Sequence, residues 1–215
     1  MKIHNVEQRS TEWYNLRKGI FSASEIGKFV AAAKPTAAQA KARTNLIYKK
    51  LAEMSGGYMA PMFETEAMRR GTELEGEARE LYADRNGCEV EEVGFCIHDS
   101  GAFGCSPDGL VDNRKGLVEI KCPEAQTHIK YLFDGVLPDT YEMQVHMQLA
   151  TTGAEWCDFF SYCPPLPPFQ VRVDRTAFTN QLERGLIQLH KEFLEYQDRL
   201  ADLWDEEQQR EGDAA

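Results

Sequence analysis

Along residues 1–86 the apolar positions recur every three to four residues, the period of helices that each bury one face. Residues 11–17 read as a short helix. A second is predicted from Ser22, where Ser22 and Glu25 have capping-box spacing and Ile26, Phe29 and Val30 follow at helical intervals. Pro35-Thr36 opens a third, which runs to about Met54 and is stopped by Ser55-Gly56-Gly57. Residues 64–86 carry Ala67, Gly71, Leu74, Ala78 and Leu81 along one stripe, with Gly71 and Gly76 as weak points.

After Gly87 the period changes. Residues 90–97, 102–105, 110–111 and 117–121 are short β-prone pieces separated by Gly, Asp and Asn, and Asp112-Asn113-Arg114-Lys115-Gly116 is a turn. Helical spacing returns over 126–133 and over 139–152, the latter closed by Gly153. Residues 156–162 and 169–173 read as strands joined by a stiff proline-rich link over 163–168. A long amphipathic helix is predicted from Arg175 to about Leu203, with the remainder frayed. No repeat or interdomain linker stands out, so the expectation is one domain over 1–205 and an acidic, disordered tail over 206–215. Helices, a group of strands, a crossover helix and further strands predict an α/β or α+β fold.

Composition narrows the function classes. The chain of 215 residues is 42% hydrophobic and 27% charged, and no segment approaches the length of apolar sequence that spans a bilayer. The start, MKIHNVEQRSTEW, lacks the apolar core of a secretory signal. Cys88, Cys96, Cys105, Cys122, Cys157 and Cys163 form no CxxC, which points to reduced cytoplasmic thiols and away from a zinc or iron–sulfur site. A formal charge of −11 argues against nucleic acid, but local fields rather than totals steer ligands. Residues 26–52 hold six basic residues (Lys28, Lys34, Lys41, Arg43, Lys49, Lys50) and no acid, whereas 196–215 hold seven acids against two arginines. The basic segment is a candidate nucleic-acid face; a plain solvated helix accounts for it nearly as well.

The candidate chemistry lies in GCSPDGLVDNRKGLVEIKC, residues 104–122. With Asn113-Arg114 as the tip of a hairpin, Val111 pairs with Gly116, and counting back sets Asp108 opposite Glu119. Facing side chains on paired strands are about 5 Å apart, so two carboxylates can share one divalent cation. Strand alternation puts Glu119 and Lys121 on one face and turns Val118 and Ile120 into the core, leaving the Ile120 carbonyl as an extra oxygen ligand. Hard oxygen ligands select magnesium or manganese, and a lysine on the same edge suits phosphodiester hydrolysis. A cross-strand salt bridge from Lys121 to Glu119 or Asp108 is the other reading of the same three residues.

The flanks carry more. QRSTEWYNLRKGIFSASEIG at 8–27, RGTELEGEARELY at 70–82, GCSPDGL at 104–110, VEIKCP at 118–123 and YEMQVHMQLATTG at 141–153 occur in this order. Over residues 8–148 the chain thereby resembles the phage lambda exonuclease and YqaJ-type viral recombinase family, within the restriction-endonuclease-like PD-(D/E)xK nucleases. The resemblance implies a restriction-endonuclease-like core, a central mixed β-sheet flanked by helices. It implies Glu75 as the outer carboxylate of the metal site, Asp108 as the shared ligand, Glu119 as the second close ligand and Lys121 as the catalytic lysine. Two Mg2+ ions per site are expected, replaceable by Mn2+. Arg17, Ser24 and Ser106 match positions that hold a terminal 5′ phosphate, and Gln144, with Tyr141 one turn earlier, matches the motif after the core. The family further implies 5′-to-3′ digestion of one strand of linear, 5′-phosphorylated duplex DNA to leave 3′ overhangs for phage recombination. A homotrimeric ring, a single-strand annealing protein as partner, and the cytoplasm of a bacterial host of the phage or prophage complete that expectation.

Taken without the family, each flank residue has a plainer explanation. Glu75 is one acid of three in a helix, Arg17 can pack over Trp13 one turn earlier, and Ser106 before Pro107 makes a bend. Tyr141, Gln144 and Gln148 share a helix face of the kind that usually meets solvent. Met59, Met62 and Phe63 form an apolar loop that suits an interface, a wedge between DNA strands or core packing. His98, His128, His146 and His190 show no partner spacing. The functional alternatives are a noncatalytic DNA-binding or scaffolding protein with this fold, and an endonuclease of the same superfamily.

Overall fold

The structure is a computed structural model that describes residues 1–32, 34–56 and 66–213; Met59, Met62, Phe63 and the start of the helix expected from Glu64 lie outside the described residues. In chain order the elements are β1 (Lys2–His4), α1 (Thr11–Arg17), β2 (Phe21–Ser22), a 3₁₀ turn (Lys28–Val30), α2 (Ala37–Met54), α3 (Glu66–Asn86), β3 (Val90–Glu91), β4 (Phe95–Ile97), β5 (Phe103–Cys105), β6 (Gly109–Val111) and β7 (Gly116–Lys121). They continue with α4 (Ala125–Asp134), α5 (Asp139–Thr152), β8 (Trp156–Ser161), β9 (Phe169–Asp174) and α6 (Ala177–Asp213).

The strands form two sheets where the sequence predicts one. The central mixed sheet is β3-β6-β7-β8-β9, with β7 and β8 parallel and joined by the crossover helices α4 and α5. A second sheet, β1-β4-β5-β2, lies beside it in the chain. The β-prone run over 90–97 is split between the two. Pro107, which has no N–H for a ladder, lies in the bend from β5 to β6. Glu92-Val93-Gly94 makes the other crossing, and there a Cβ on Gly94 would lie 2.0 Å from the Val6 carbonyl oxygen, so the close approach requires glycine.

Alternation along β7 assigns its neighbours to two cores. Val118 and Ile120 pack with Ala78 and Tyr82 of α3 and with Phe160 and Tyr162. Leu117 joins the larger core with Leu149 of α5, Ile47 of α2 and Leu182, Leu186 and Leu189 of α6. Helix α5 is buried on almost every side because α6 covers one flank and β4, β5 and β8 take the other. Its polar stripe of Gln144 and Gln148 is therefore not a solvent face. Two buried histidines serve packing: His128 meets Ser161 Oγ at 2.7 Å and the Pro167 carbonyl at 2.9 Å, and His146 meets Thr179 Oγ1 at 2.8 Å.

Three local expectations are corrected. No α-helix follows Ser22; instead Phe21 and Ser22 pair in parallel with Phe103 and Gly104, because pairing of the backbone into the sheet outweighs a local capping signal. Helix α6 runs on to Asp213 past Leu203, where Arg210 lies one turn from Glu206 and Glu207 and supports the last turns. The basic segment over 26–52 is not a continuous cationic face. Arg43 is buried against Glu192 at 2.7 Å, Lys50 is buried between Glu25 and Glu53, and Lys28 meets Glu142 at 2.6 Å.

Candidate active site

The β6–β7 hairpin turns through Asp112, Asn113 and Arg114, all at positive φ, a conformation that Asp and Asn tolerate better than most residues. Gly109 pairs with Val118, so the next position outward sets Asp108 opposite Glu119, as the counting predicts. Asp108 Oδ2 accepts the Ile120 N–H at 2.6 Å, which fixes the carboxylate across the two strands. Glu119 is buried, and both of its oxygens are engaged. Gln144 Nε2 donates to Oε1 and Gln148 Nε2 to Oε2, each at 2.5 Å, and the Lys121 ammonium also sits on Oε1.

The electrostatics follow from burial. Burial, and then the charge on Glu119, push the Asp108 carboxyl up to about 8 against the pull of Lys121. The Lys121 ammonium would be lowered by burial, yet Glu119 and Asp108 together leave it raised. Gln148 is wholly buried, and its Oε1 has no partner among the described residues. The amide faces this way because the reverse orientation would set a carbonyl against the carboxylate of Glu119.

Glu75 projects from α3 into the same cleft, of about 380 Å3, with Arg9, Asp108, Lys121 and Tyr141. Its carboxylate is held by Arg79 at 2.8 Å, and Arg79 also donates to the Asp108 carbonyl at 3.0 Å. Among the described residues no group of three or more His, Cys, Asp and Glu side chains is gathered closely enough to hold a metal. Tyr141 places its ring 5.5 Å from Lys121 Nζ.

A second cleft, of about 440 Å3, is lined by Arg17, Ser24, Lys50, Ser106, Gln144 and Gln148, and it shares Gln8 and Arg9 with the first. The Arg17 guanidinium lies 4.1 Å over the Trp13 ring and donates to Ser22 Oγ at 3.0 Å. Ser24 is exposed in the turn after β2 and stands at no helix N-terminus. Ser106 Oγ donates to the Gly94 carbonyl at 2.6 Å and accepts from Trp13 Nε1 at 2.9 Å, so its proton is already engaged.

The fold thus bonds Lys121 and Gln144 to Glu119 and sets Asp108 beside them, held on the Ile120 N–H. Glu75 and Tyr141 line the same cleft; Arg17, Ser24 and Ser106 line its neighbour. The sequence does not single out Arg79, and it suggests for Gln148 a solvent-facing stripe and for Lys50 a basic surface segment rather than the contacts they make. A signal existed for Gln148, four positions after Gln144 on one helix face. For Arg79 and Lys50 the helical spacing to Glu75 and Glu53 was a signal, but their contacts with the Asp108 carbonyl and Glu25 are distant in sequence.

Comparison with known proteins bears on the fold and the family. No curated protein sequence matches the chain. Among solved structures, an alkaline exonuclease from Laribacter hongkongensis is 33% identical with a TM-score of 0.69, covering 90% of this chain and 100% of that one. The same enzyme in complex with dAMP matches equally, at 33% identity and a TM-score of 0.69. A phage related exonuclease from Haemophilus somnus 129PT shares the fold at 13% identity, with a TM-score of 0.61 over 88% of this chain and 99% of that one. The YqaJ-like viral recombinase domain matches residues 12–155, more than half of the sequence. The chain belongs to the YqaJ-like viral recombinase family.

Proposed function

We propose that the chain is a magnesium-dependent 5′-to-3′ exonuclease that digests one strand of linear double-stranded DNA. The observation that carries this reading is the Lys121–Glu119 ion pair with Asp108 fixed beside it on the Ile120 N–H, at a cleft that adjoins a second one containing Arg17. Two facing carboxylates are hard oxygen donors suited to a divalent cation, and burial together with the charge on Glu119 pushes Asp108 up to about 8 in spite of Lys121. Asp108 and Glu119 would hold the ion with the Ile120 carbonyl, and Glu75 would join once it gives up Arg79. When bound, the metal acidifies a water and stabilises charge on the phosphate oxygens.

The chain's own groups do the rest. Gln144 and Gln148 fix both oxygens of Glu119, so the carboxylate keeps one orientation. Lys121 presents an ammonium at the same edge, where it can hold the attacking water or a phosphate oxygen. Arg17, stacked on Trp13, offers a planar fork for a terminal phosphate. The relative from Laribacter hongkongensis has been solved with dAMP, a nucleoside monophosphate, which suits a cleft with this chemistry. A homotrimeric ring, an annealing protein as partner and a bacterial cytoplasmic setting belong to the same reading. No described helix is long and apolar enough to cross a membrane.

The test is digestion of linear duplex DNA labelled on one strand, with a 5′ phosphate or a 5′ hydroxyl, in magnesium or EDTA. Magnesium-dependent loss of the 5′-phosphorylated strand is expected, and Arg17→Ala should lower the preference for phosphorylated ends about tenfold. Cutting of closed circles would overturn the end-specific reading while sparing the hydrolytic one. DNA binding without hydrolysis in any divalent metal would favour the noncatalytic module. Gln148→Met keeps the volume but loses the donor to Glu119 Oε2, and should reduce the rate about tenfold or more. Its thermal midpoint should fall by only a few degrees, since loss of the donor to the buried Glu119 Oε2 is offset in part by loss of the unpartnered Oε1.

A further inference from the structure

The wall of the second cleft holds a largely buried charge cluster that the proposed chemistry does not use. Lys50 is buried on α2, with Nζ 2.7 Å from Glu25 Oε2 and 2.9 Å from Glu53 Oε2. Glu25 Oε2 also accepts from Ser22 Oγ at 2.6 Å, and Ser22 Oγ in turn accepts from Arg17 Nη2 at 3.0 Å. An unbroken chain of contacts therefore runs from Lys50 through Glu25 and Ser22 to the guanidinium offered to a phosphate. Lys49 takes the other Glu25 oxygen at 2.5 Å.

The cluster is unexpected where an anion should bind, because Glu25 and Glu53 line the same cleft as Arg17. Burial lowers the Arg17 guanidinium, and Glu25 and then Glu53 are the charges that raise it again. Two carboxylates that close compete with a phosphate for the guanidinium unless another cation holds them. Burial alone would raise the Glu25 carboxyl, yet Lys50, then hydrogen bonds from Lys49, Lys50 and Ser22, bring it down to about 2.

We propose that Lys50, without itself contacting DNA, sets the selectivity of this cleft for a terminal phosphate by holding Glu25 and Glu53 away from Arg17. It is a positioning residue, and the inference rests on the end-binding reading given above. Replacing it with a neutral side chain leaves Glu53 without its cation and Glu25 with the half-exposed Lys49 alone, and removing one partner of a buried charge group leaves the others undercompensated. Arg17 then turns inward to neutralise them, and the phosphate loses its partner.

The experiment compares kcat/KM on 5′-phosphorylated and 5′-hydroxyl linear duplexes for the wild type, Lys50→Met and the charge-balanced Lys50→Met/Glu53→Gln, each checked for folding by thermal melting. Lys50→Met is expected to lower the phosphate-to-hydroxyl ratio about tenfold, and the double variant to recover most of it. A purely structural role would lower both substrates together and leave the ratio at its wild-type value, which overturns the inference. Failure of the double variant to recover the ratio overturns it as well. If Lys50→Met does not fold, Lys50→Gln, which keeps a donor but no charge, is read on the same criteria. A wild type that digests both ends equally refutes the end pocket itself; a wild-type preference that survives in the variant refutes only the part given to Lys50.

Discussion

Glu119→Ala is expected to lower the rate of digestion of linear duplex DNA about 1000-fold or more, the largest effect of any single change in the protein. Three donors converge on this buried carboxylate, from Lys121, Gln144 and Gln148, and no described side chain replaces it. Its removal strips the site of a metal ligand and leaves Lys121 without its nearest counter-charge. Two glutamine amides also lose their acceptor. Glu119→Gln keeps the volume and is the control for folding: its amide can accept one of the three donors but carries no charge for a cation. Release of labelled mononucleotide reports the rate, and thermal melting reports the fold. A folded Glu119→Ala within tenfold of the wild type would make the residue a structural anchor and return the hairpin to the salt-bridge reading.

The largest expected effect on stability lies on the other side of the sheet. Asp158 is wholly buried in β8, where Tyr82 Oη donates to it at 2.8 Å, Arg172 at 2.8 and 2.9 Å, and Gln170 at 3.1 Å. Arg172 is held from above as well, 3.6 Å over the Trp156 ring. The carboxylate ties α3, β8 and β9 together, and burial followed by its hydrogen bond raises the Tyr82 phenol far above the ordinary range. Asp158→Ala leaves the buried Tyr82 hydroxyl without its acceptor and the half-exposed Arg172 without its counter-charge, at a cost of about 3 kcal/mol. For a chain of this size the melting midpoint should fall by about 10 °C. Asp158→Ala combined with Tyr82→Phe and Arg172→Met should recover part of the loss, since the one donor then left, Gln170, still has Asn86 as an acceptor. A fall of less than about 3 °C for the single variant would mean that water replaces the network.

The contrast between these two carboxylates shows what could be read in advance. Glu119 is legible because its spacing from Asp108 and Lys121 is local: a two-strand hairpin with an Asn-Arg tip fixes the register, and alternation fixes the face. Asp158 lies in a strand with no patterned neighbour, and its partners come from positions 82, 170 and 172. The same division holds for helices. Residues 11–17 and 139–152 match their predicted bounds because caps and glycine stops act within one turn. Ser22 and Glu25 do meet with capping-box hydrogen bonding, but the chain there belongs to a sheet.

By itself, the sequence determined the strand-turn-strand bearing Asp108, Glu119 and Lys121, the order of helices and strands, and the likeness to the YqaJ-like family. Each depends on period, turn chemistry or motif order, all of them short-range. Tertiary structure alone decided what surrounds those residues. The stripe of Gln144 and Gln148 became a clamp on Glu119 because α5 is enclosed by α6 and by strands of both sheets. Lys50 and Arg43, basic residues in an apparently cationic segment, became buried counter-ions because α2 turns them toward Glu25, Glu53 and Glu192. A charged side chain is a surface group or an internal strut according to the acids the fold brings within about 3 Å of it, and pairing at that range is settled by packing rather than by position in the chain.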